Sequence, residues 1–539
     1  MINQKDLRPR DMGRSDEQLI KLEPEQLMLL FPPYDKPGME PPLTDPKPAW
    51  QEKFCTSLDG YVGVDTLTRP KTKAEEDEFV RMFLRGLEKS FSDANNGILQ
   101  PFLLSFEYCA KCDTCSAACH IYEASGKNEL YRPIFRSEVL RKIVKKYFTT
   151  SGRLLGGFVG ADLDVNWETI ARLGELAYRC NLCRRCAQTC PLGLDNAILT
   201  KEIRKIFSQE MGIAPLPLHT KGTVLQINTG SSTGVSKPAF LDTIEFLEED
   251  IEEKYGLKIK FPMDKKGADI LLLHNAGEYM AWPENPIAFA ILFEEAGLNW
   301  TLSSEIAGYD NVNYGIWYDD FQAKTLANLQ MKVAKDLGVN RIVIAECGHA
   351  HKASAIVGDR LVPGDIKVPV ESCLPLLWDM VKSKQLKFDP SKNNFPVTLH
   401  DPCNYVRGMG IVEPQRHVLK AICPQFREMT PHGVDNYCCG GGGGFAITNS
   451  LNFYEWRNKV SSRMKFNQIL GAFQDSMENA AIPKYVCAPC SNCKGAIRDI
   501  LEFYEATTKF NVQYGGLVEL MVNALVSMKK PFMEFLEED

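Results

Sequence analysis

Two adjacent cysteines run into five glycines at Cys438-Cys439-Gly440-Gly441-Gly442-Gly443-Gly444, setting a pair of thiols beside a backbone stripped of side chains. Neighbouring thiolates cannot both enter an ordinary tetrahedral metal site without strain, and the glycines let the chain press close to something bulky. Upstream stands Cys403 in HDPCNYVRG, and downstream stands Cys490-Ser491-Asn492-Cys493. Five thiols spaced C-x34-CC-x50-CxxC therefore converge on one candidate site. The plainer alternative is a zinc knot or a cluster of buried reduced thiols. Zinc takes four ligands, usually as two CxxC or CxxH pairs, and this pattern fits that poorly.

Eight further cysteines form a matched pair of runs, Cys109-x2-Cys112-x2-Cys115-x3-Cys119 and Cys180-x2-Cys183-x2-Cys186-x3-Cys190-Pro191. Such spacing wraps three thiolates around one [4Fe–4S] cluster and sends the fourth across to the other. The expected sets are Cys109, Cys112 and Cys115 with Cys190, and Cys180, Cys183 and Cys186 with Cys119. The first run ends in Cys119-His120 rather than Cys-Pro, which alters the local turn more than the ligation. Two cubanes in series make a one-electron wire, and the five-cysteine site is its expected terminus. Reducing a disulfide takes two electrons and passes through a half-cleaved state. Surplus thiolates and a glycine-cleared approach suit a site that must hold one sulfur between single-electron deliveries.

The five-cysteine spacing resembles the cysteine-rich CCG domain of heterodisulfide-reductase-type proteins, where five such thiolates hold an unusual iron–sulfur cluster. The helical insert between the two runs, which includes FRSEVLRKIVKKYF (135–148), resembles the helical ferredoxin domain of heterodisulfide reductase and succinate dehydrogenase subunits. In layout the chain is most similar to the DsrK-type catalytic iron–sulfur subunits of sulfite-reduction-associated membrane complexes, and then to heterodisulfide reductase and menaquinol-linked Hme subunits. The resemblance implies two [4Fe–4S] cubane clusters and one special [4Fe–4S] cluster, cubane or not. It implies a catalytic role for Cys403, Cys438, Cys439, Cys490 and Cys493 in an oxidoreductase acting on sulfur groups in dissimilatory sulfur metabolism. The implied partners are a membrane haem b subunit that handles quinol, further complex subunits, and a small protein substrate with a redox-active disulfide or trisulfide. The implied place is cytoplasmic, attached to the inner face of the cell membrane through partner subunits. The competing reading is an electron-transfer subunit of a glycolate, lactate or glycerol-3-phosphate dehydrogenase complex, and a third makes the chain a scaffold that only carries electrons.

Several residues around these motifs admit two readings. In VCAPCSNCKG both Cys487-x2-Cys490 and Cys490-x2-Cys493 fit CxxC; the family's placement of its pair just after a proline-like step aligns Cys490 and Cys493 and leaves Cys487 in a strand. Cys347, in ECGHAHK, is a reserve ligand or a remnant. His349, His351 and His400 supply protons or serve as structural hydrogen-bonders. Arg407 and Lys494 sit beside ligand cysteines, where they could offset negative charge. Cys55, Cys373 and Cys423 lack motif partners and read as buried thiols.

The elements that position these residues divide the chain into an α+β multidomain protein. A composition 44% hydrophobic and 24% charged is ordinary for globular domains. The net charge of -7 argues against a nucleic-acid partner. Eighteen cysteines without a secretory signal read as metal ligands in a reducing compartment, and no run of apolar residues is long enough to span a bilayer. Residues 1–100 read as an extended arm, proline-rich over 31–50, draped over its own chain or clamping a partner. Residues 101–210 form the helical double-cubane ferredoxin domain, and 211–265 a connector ending in an acidic helix. Two α/β repeats follow. The first, 266–390, is a degenerate CCG-type copy in which Gly277, EIAG and ECGHA replace the ligand positions; the second, 391–539, is complete. Alternating strands and helices place the site loops at the strands' carboxyl ends. The proline-rich arm and the apolar segment GLVELMVNALVSM (516–528) are the expected docking surfaces.

Overall fold

The computed structural model describes residues 1–14, 18–44, 47–54, 57–91, 105, 107–449, 451–533 and 535. Two four-stranded parallel sheets carry the C-terminal half. The first comprises β1 (Ile270–Leu273), β2 (Trp300–Thr301), β3 (Arg341–Ile344) and β4 (Val370–Ser372), in the order β2-β1-β3-β4. The second comprises β5 (Val397–Leu399), β6 (Phe426–Glu428), β7 (Lys484–Cys487) and β8 (Val512–Gly515), in the order β6-β5-β7-β8. Helices cover both faces, so the central strands β1, β5 and β7 are buried at every position, which is why they read as continuous apolar runs without alternation. One apolar core runs through both sheets, joining Ile270 and Leu272 to Val397, Leu399 and Val486.

A second core belongs to the helices of the N-terminal half. The helix Trp167–Ala177 is buried at every position but Glu168 and starts at Asn166, whose side chain accepts from Thr169 N. The helix Asn196–Met211 begins at Asp195, whose carboxylate accepts from Ala197 N and Ile198 N. The helix Lys73–Ser90 packs along it, its Gly86 allowing close approach to Ile206 and Glu210. The acidic helix Lys237–Tyr255 buries Phe240, Ile244, Leu247 and Ile251 at helical spacing, so its carboxylates fall on the opposite, solvated face.

The N-terminal arm is packed on its own chain. Leu7, Met12, Leu19 and Leu58 are buried in the core that holds Val139 and Ile170, while Tyr34 reaches the other core and donates to Tyr504 O at 2.6 Å. Glu40 pairs with Arg463 at 2.6 Å. The tightest tie is fully buried: Arg179 makes a two-point contact with Asp59, at 2.7 and 2.8 Å, and meets Glu175 at 3.1 Å. Glu175 also accepts from Gly63 N and Val64 N; burial raises its pKa to about 7 although Arg179 pulls it down.

One expectation about docking fails. The helix Leu517–Ala524 is buried throughout and packs against the helix Glu284–Glu295 inside the shared core, so it offers no surface to a partner. Its lack of a polar stripe marks a core helix here, not an interface helix. Among the described residues no helix is long and apolar enough to cross a membrane.

The buried Asp59–Arg179 contact yields a stability test. Removing one partner of a buried ion pair leaves the other charge uncompensated, so Asp59→Ala should destabilise the protein by about 3–5 kcal/mol, seen as a lower denaturation midpoint. An unchanged midpoint would show that the arm is not anchored there.

Candidate functional site

The Cys438-Cys439 turn is built by the glycines after it. Gly440 has φ +92°, in the left-handed region, and a Cβ there would collide with Ser462, lying 2.8 Å from its Cα. With no side chains in the way, Gly440 N donates to Cys438 Sγ at 3.5 Å and Gly441 N to Cys439 Sγ at 3.4 Å. Such N–H groups stabilise thiolates over thiols.

The five sulfurs of the sequence pattern meet. Cys438 is hydrogen-bonded to Cys403 and Cys439, Cys439 to Cys493, and Cys493 to Cys490. They come from three loops: Cys403 follows β5, Cys438-Cys439 follow β6, and the Cys490–Cys493 pair follows β7. All lie at the carboxyl ends of their strands, where open α/β sheets place their ligands. Cys403 is half-buried and the other four are buried. Donation from Cys438 holds the Cys439 thiol well below its usual range, and contacts with Cys183, Cys403 and Cys439 push Cys438 up. His400 joins them, its ring within 4.8 Å of the Cys439 and Cys493 sulfurs. Burial lowers its pKa, and Cys439 opposes the fall.

The eight ferredoxin-run cysteines also gather in two groups. Cys109, Cys112, Cys115 and Cys190 line one cavity, closed by Ile134, Leu192 and Leu194. Burial pushes Cys115 up to about 11, with Asp113, Cys109 and Cys190 adding to the rise. Cys119, Cys180, Cys183 and Cys186 form the other group: burial raises Cys119 to about 12, helped by Cys183 and Cys180, and Cys186 feels Cys180, Cys183 and Cys119. Both runs bend alike. Lys111 and Asp113 flank Cys112 with positive φ, as Leu182 and Arg184 flank Cys183. Such conformations are uncommon for these residue types and persist only where the surroundings impose them.

The second group abuts the five-cysteine site. Cys183 is hydrogen-bonded to Cys438, and that donation lowers its pKa. Asn181 donates to Gly440 O at 2.9 Å and accepts from Ser461 Oγ at 2.9 Å, and its side-chain oxygen lies 2.8 Å from His120 Nε2. Arg204, fully buried, spans Gly443 O and Cys180 O at 2.7 Å each. Arg407 donates to Cys183 O at 2.7 Å and to Val434 O and Asn436 O.

The remaining candidates are placed as follows. Cys347 is buried next to Cys490, and Gly348 N donates to Cys490 Sγ at 3.3 Å; burial pushes the Cys347 thiol up to about 12. Cys487 lies in β7, paired with Leu399 and Gly515, buried and outside the cavity lining. His349 accepts from Asn313 N at 3.1 Å, and burial lowers it to about 3. His351 sits 2.8 Å from Cys347 O, and burial lowers it to about 4. Lys494 faces Glu519 at 3.5 Å and acts on Glu346, so it offsets buried carboxylates and, among the thiols, acts on Cys487 of β7. Cys373 and Cys423 are buried thiols outside the cavity lining, and Cys55 lies outside the described residues. The cavity of the five-cysteine site is lined as well by Asn181, Leu182, Trp317, Lys352 and Asn404. Sequence reasoning missed Trp317 and Lys352, which come from the first-sheet half. It noted His120 only as a departure from Cys-Pro, although that departure is the group that reaches both Asn181 and Cys183.

This donor set fits iron–sulfur clusters better than zinc. A crowd of buried thiols sharing hydrogen bonds, with backbone N–H groups aimed at sulfur, is suited to multiply charged thiolate ligation, and five sulfurs exceed what tetrahedral zinc takes. Gly440→Ala should therefore cost the five-cysteine site its metal while sparing the ferredoxin runs, dropping iron from roughly 12 to roughly 8 per chain in anaerobically purified protein. Full iron retention in the variant would separate the turn from metal binding.

Comparison with known proteins agrees with this geometry. Residues 105–194 match the 4Fe-4S dicluster domain and residues 397–498 the cysteine-rich CCG domain. The chain is 27% identical over 469 residues to an Hdr-like menaquinol oxidoreductase iron-sulfur subunit 2 of Archaeoglobus fulgidus, covering 79% of this chain and 80% of the relative. It is 25% identical over 351 residues to a subunit of the dihydromethanophenazine:CoB–CoM heterodisulfide reductase of Methanosarcina acetivorans, covering 64% and 79%. It is 23% identical over 448 residues to a probable membrane-anchored ferredoxin of Chromohalobacter salexigens, covering 78% and 64%. The chain thus carries a 4Fe-4S dicluster match and a cysteine-rich CCG match, and it is similar to heterodisulfide-reductase-like iron–sulfur subunits.

Proposed function

We propose that this chain is the catalytic iron–sulfur subunit of a membrane-linked redox complex of the DsrK type. It exchanges electrons between a quinol-linked membrane haem b subunit and the disulfide or trisulfide of a small partner protein in dissimilatory sulfur metabolism. The observation that carries the reading is the contact between Cys183 and Cys438, which sets the second ferredoxin group directly against the five-cysteine site. Similarity to a menaquinol oxidoreductase subunit and to a heterodisulfide reductase subunit supports the two ends of the electron path. On this reading the chain works at the cytoplasmic face of the membrane, held there by its partners.

Cys109, Cys112, Cys115 and Cys190 would hold one [4Fe–4S] cubane, and Cys119, Cys180, Cys183 and Cys186 the other. Cys403, Cys438, Cys439, Cys490 and Cys493 would hold the special cluster. When bound, these groups supply one-electron storage and, at the five-cysteine site, affinity for sulfur. The chain's own part is to fix the thiolates, exclude water and keep the path short. Exposed Cys112 lies at the outer end of the path and the buried Cys438–Cys439 pair at the inner end. The ferredoxin unit occupies 101–210 and the complete CCG unit 391–539. The matching strand orders of the two sheets support reading 266–390 as a degenerate copy that lost its ligands, with 1–100 as an arm and 211–265 as a connector.

The test separates wire from catalyst. Cys183→Ala should stop electron delivery yet leave a thiol-responsive paramagnetic signal at the five-cysteine site, whereas Cys439→Ala should keep the ferredoxin-type signals and lose the thiol response. Disulfide reduction at the wild-type rate in Cys439→Ala would place the active site elsewhere. Rapid turnover of glycolate, lactate or glycerol-3-phosphate by the native complex, with no response to a thiol protein, would favour a dehydrogenase subunit.

A further inference from the structure

The first-sheet half contributes more to the five-cysteine cavity than Cys347 and Gly348. Trp317, on the 3-10 turn Tyr314–Trp317, and Lys352, which opens the π-helical turn Lys352–Gly358 after β3, both line it together with Cys403, Cys439, Cys490 and Cys493. Trp317 is buried, stacked on Tyr314 and tilted against His349 with ring centroids 4.2 Å apart, so it forms a fixed apolar wall. Lys352 keeps partial exposure as a residue, but its ammonium is buried.

Lys352 is unlike the other cations near the site. Arg204 and Arg407 are tied to backbone carbonyls, Lys494 to Glu519, and Lys465, which acts on Cys438, Cys439 and Cys493, to Asn436 Oδ1 at 2.7 Å. Among the described residues Lys352 has no ion pair with a carboxylate. Asp195 acts on it, but is committed to Arg184 at 2.7 Å. Arg184 and Lys201 surround it with like charge, and Lys201 is itself paired to Asp320. The remaining negative influence on Lys352 is Cys403, the half-buried member of the five. Burial, Arg184 and Lys201 lower the Lys352 pKa, and an anion entering the cavity would stabilise its charged form.

We infer that Lys352 makes this cavity a binding site for an anionic sulfur group, the thiolate of a thiol ligand, with the Lys352 ammonium as its counter-charge and the Trp317 face as its apolar wall. This deepens the proposed function and rests on it for the presence of a cluster on the five cysteines. It also gives the first-sheet half a role: it closes the site and adds a second amine to that of Lys465, which acts on Cys438, Cys439 and Cys493 from the other half. A neutral disulfide gains nothing from the Lys352 charge, whereas a thiolate does, so the residue favours the reduced sulfur over the oxidised one.

The test uses the intact complex with its clusters and 2-mercaptoethanol as the probe, titrated while the paramagnetic or visible signal of the five-cysteine site is followed. Lys352→Met should bind the thiol about tenfold more weakly, the size of one charge–charge contact, with unchanged iron content and unchanged ferredoxin-type signals. Lys352→Arg, which keeps the charge, should stay within about threefold of wild type on the same scale. Wild-type affinity in Lys352→Met overturns the inference. So does a loss in Lys352→Arg as large as in Lys352→Met, or a loss of iron in either, because each would make Lys352 a structural residue. A wild-type complex whose signal ignores thiols altogether overturns the proposed function itself, and this inference with it.

Discussion

The site depends on one close approach: the glycine run after Cys439 lies flat against Asn181, the residue next to Cys180. A Cβ at Gly442 would stand 2.7 Å from Asn181 O, and one at Gly443 would stand 3.0 Å from Asn181 C. No other residue type allows backbone to meet backbone at that separation. The contact is then locked by polar groups that leave little unsatisfied, with Asn181 reading Gly440 O and Arg204 bridging Gly443 O to Cys180 O. An unpaired backbone carbonyl buried here would cost free energy comparable to a lost hydrogen bond, so each of these side chains is needed for the approach to persist. The consequence is chemical. With the two backbones clamped together, the Cys183 and Cys438 sulfurs are within hydrogen-bonding reach, and the two cysteine clusters become neighbours instead of separate domains' property.

The two sheets surround this contact on the other side. Glu346, at the end of β3, accepts from Leu517 N at 2.7 Å and from Asn285 Nδ2 at 2.8 Å, while its own carbonyl receives Ser491 N at 2.8 Å. One residue of the first sheet thereby fixes the start of the Ser491–Phe503 helix, which carries Cys493. Burial pushes Glu346 up to about 7, and Lys494 opposes the rise. The five sulfurs are thus held by loops of the second sheet but registered by groups of the first.

Much of this was legible in the residues. Cysteine spacing separated the two ferredoxin runs from the five-thiol pattern because ligand geometry constrains sequence locally, and the apolar runs ADILLL, RIVIA, FPVTL and KYVC all became parallel strands for the same local reason. What stayed hidden was non-local. Trp317 and Lys352 come from a half of the chain that carries no cysteine-spacing motif, so no motif pointed to them. The role of His120 depends on a neighbour 61 residues away in sequence, Asn181. The helix Leu517–Ala524 misled for a different reason: an apolar helix without a polar stripe looks the same whether it faces a partner or its own core, and only the packing decides.

The central claim is that the five sulfurs hold one iron–sulfur cluster in contact with the cluster of the second ferredoxin run. The most direct measurement is an anomalous-diffraction map at the iron edge from anaerobically grown crystals of the complex. The account predicts three separate iron centres per chain, the third enclosed by Cys403, Cys438, Cys439, Cys490 and Cys493 and nearest to the one bounded by Cys183. Iron at the ferredoxin runs alone, with zinc or no metal among the five cysteines, would contradict it.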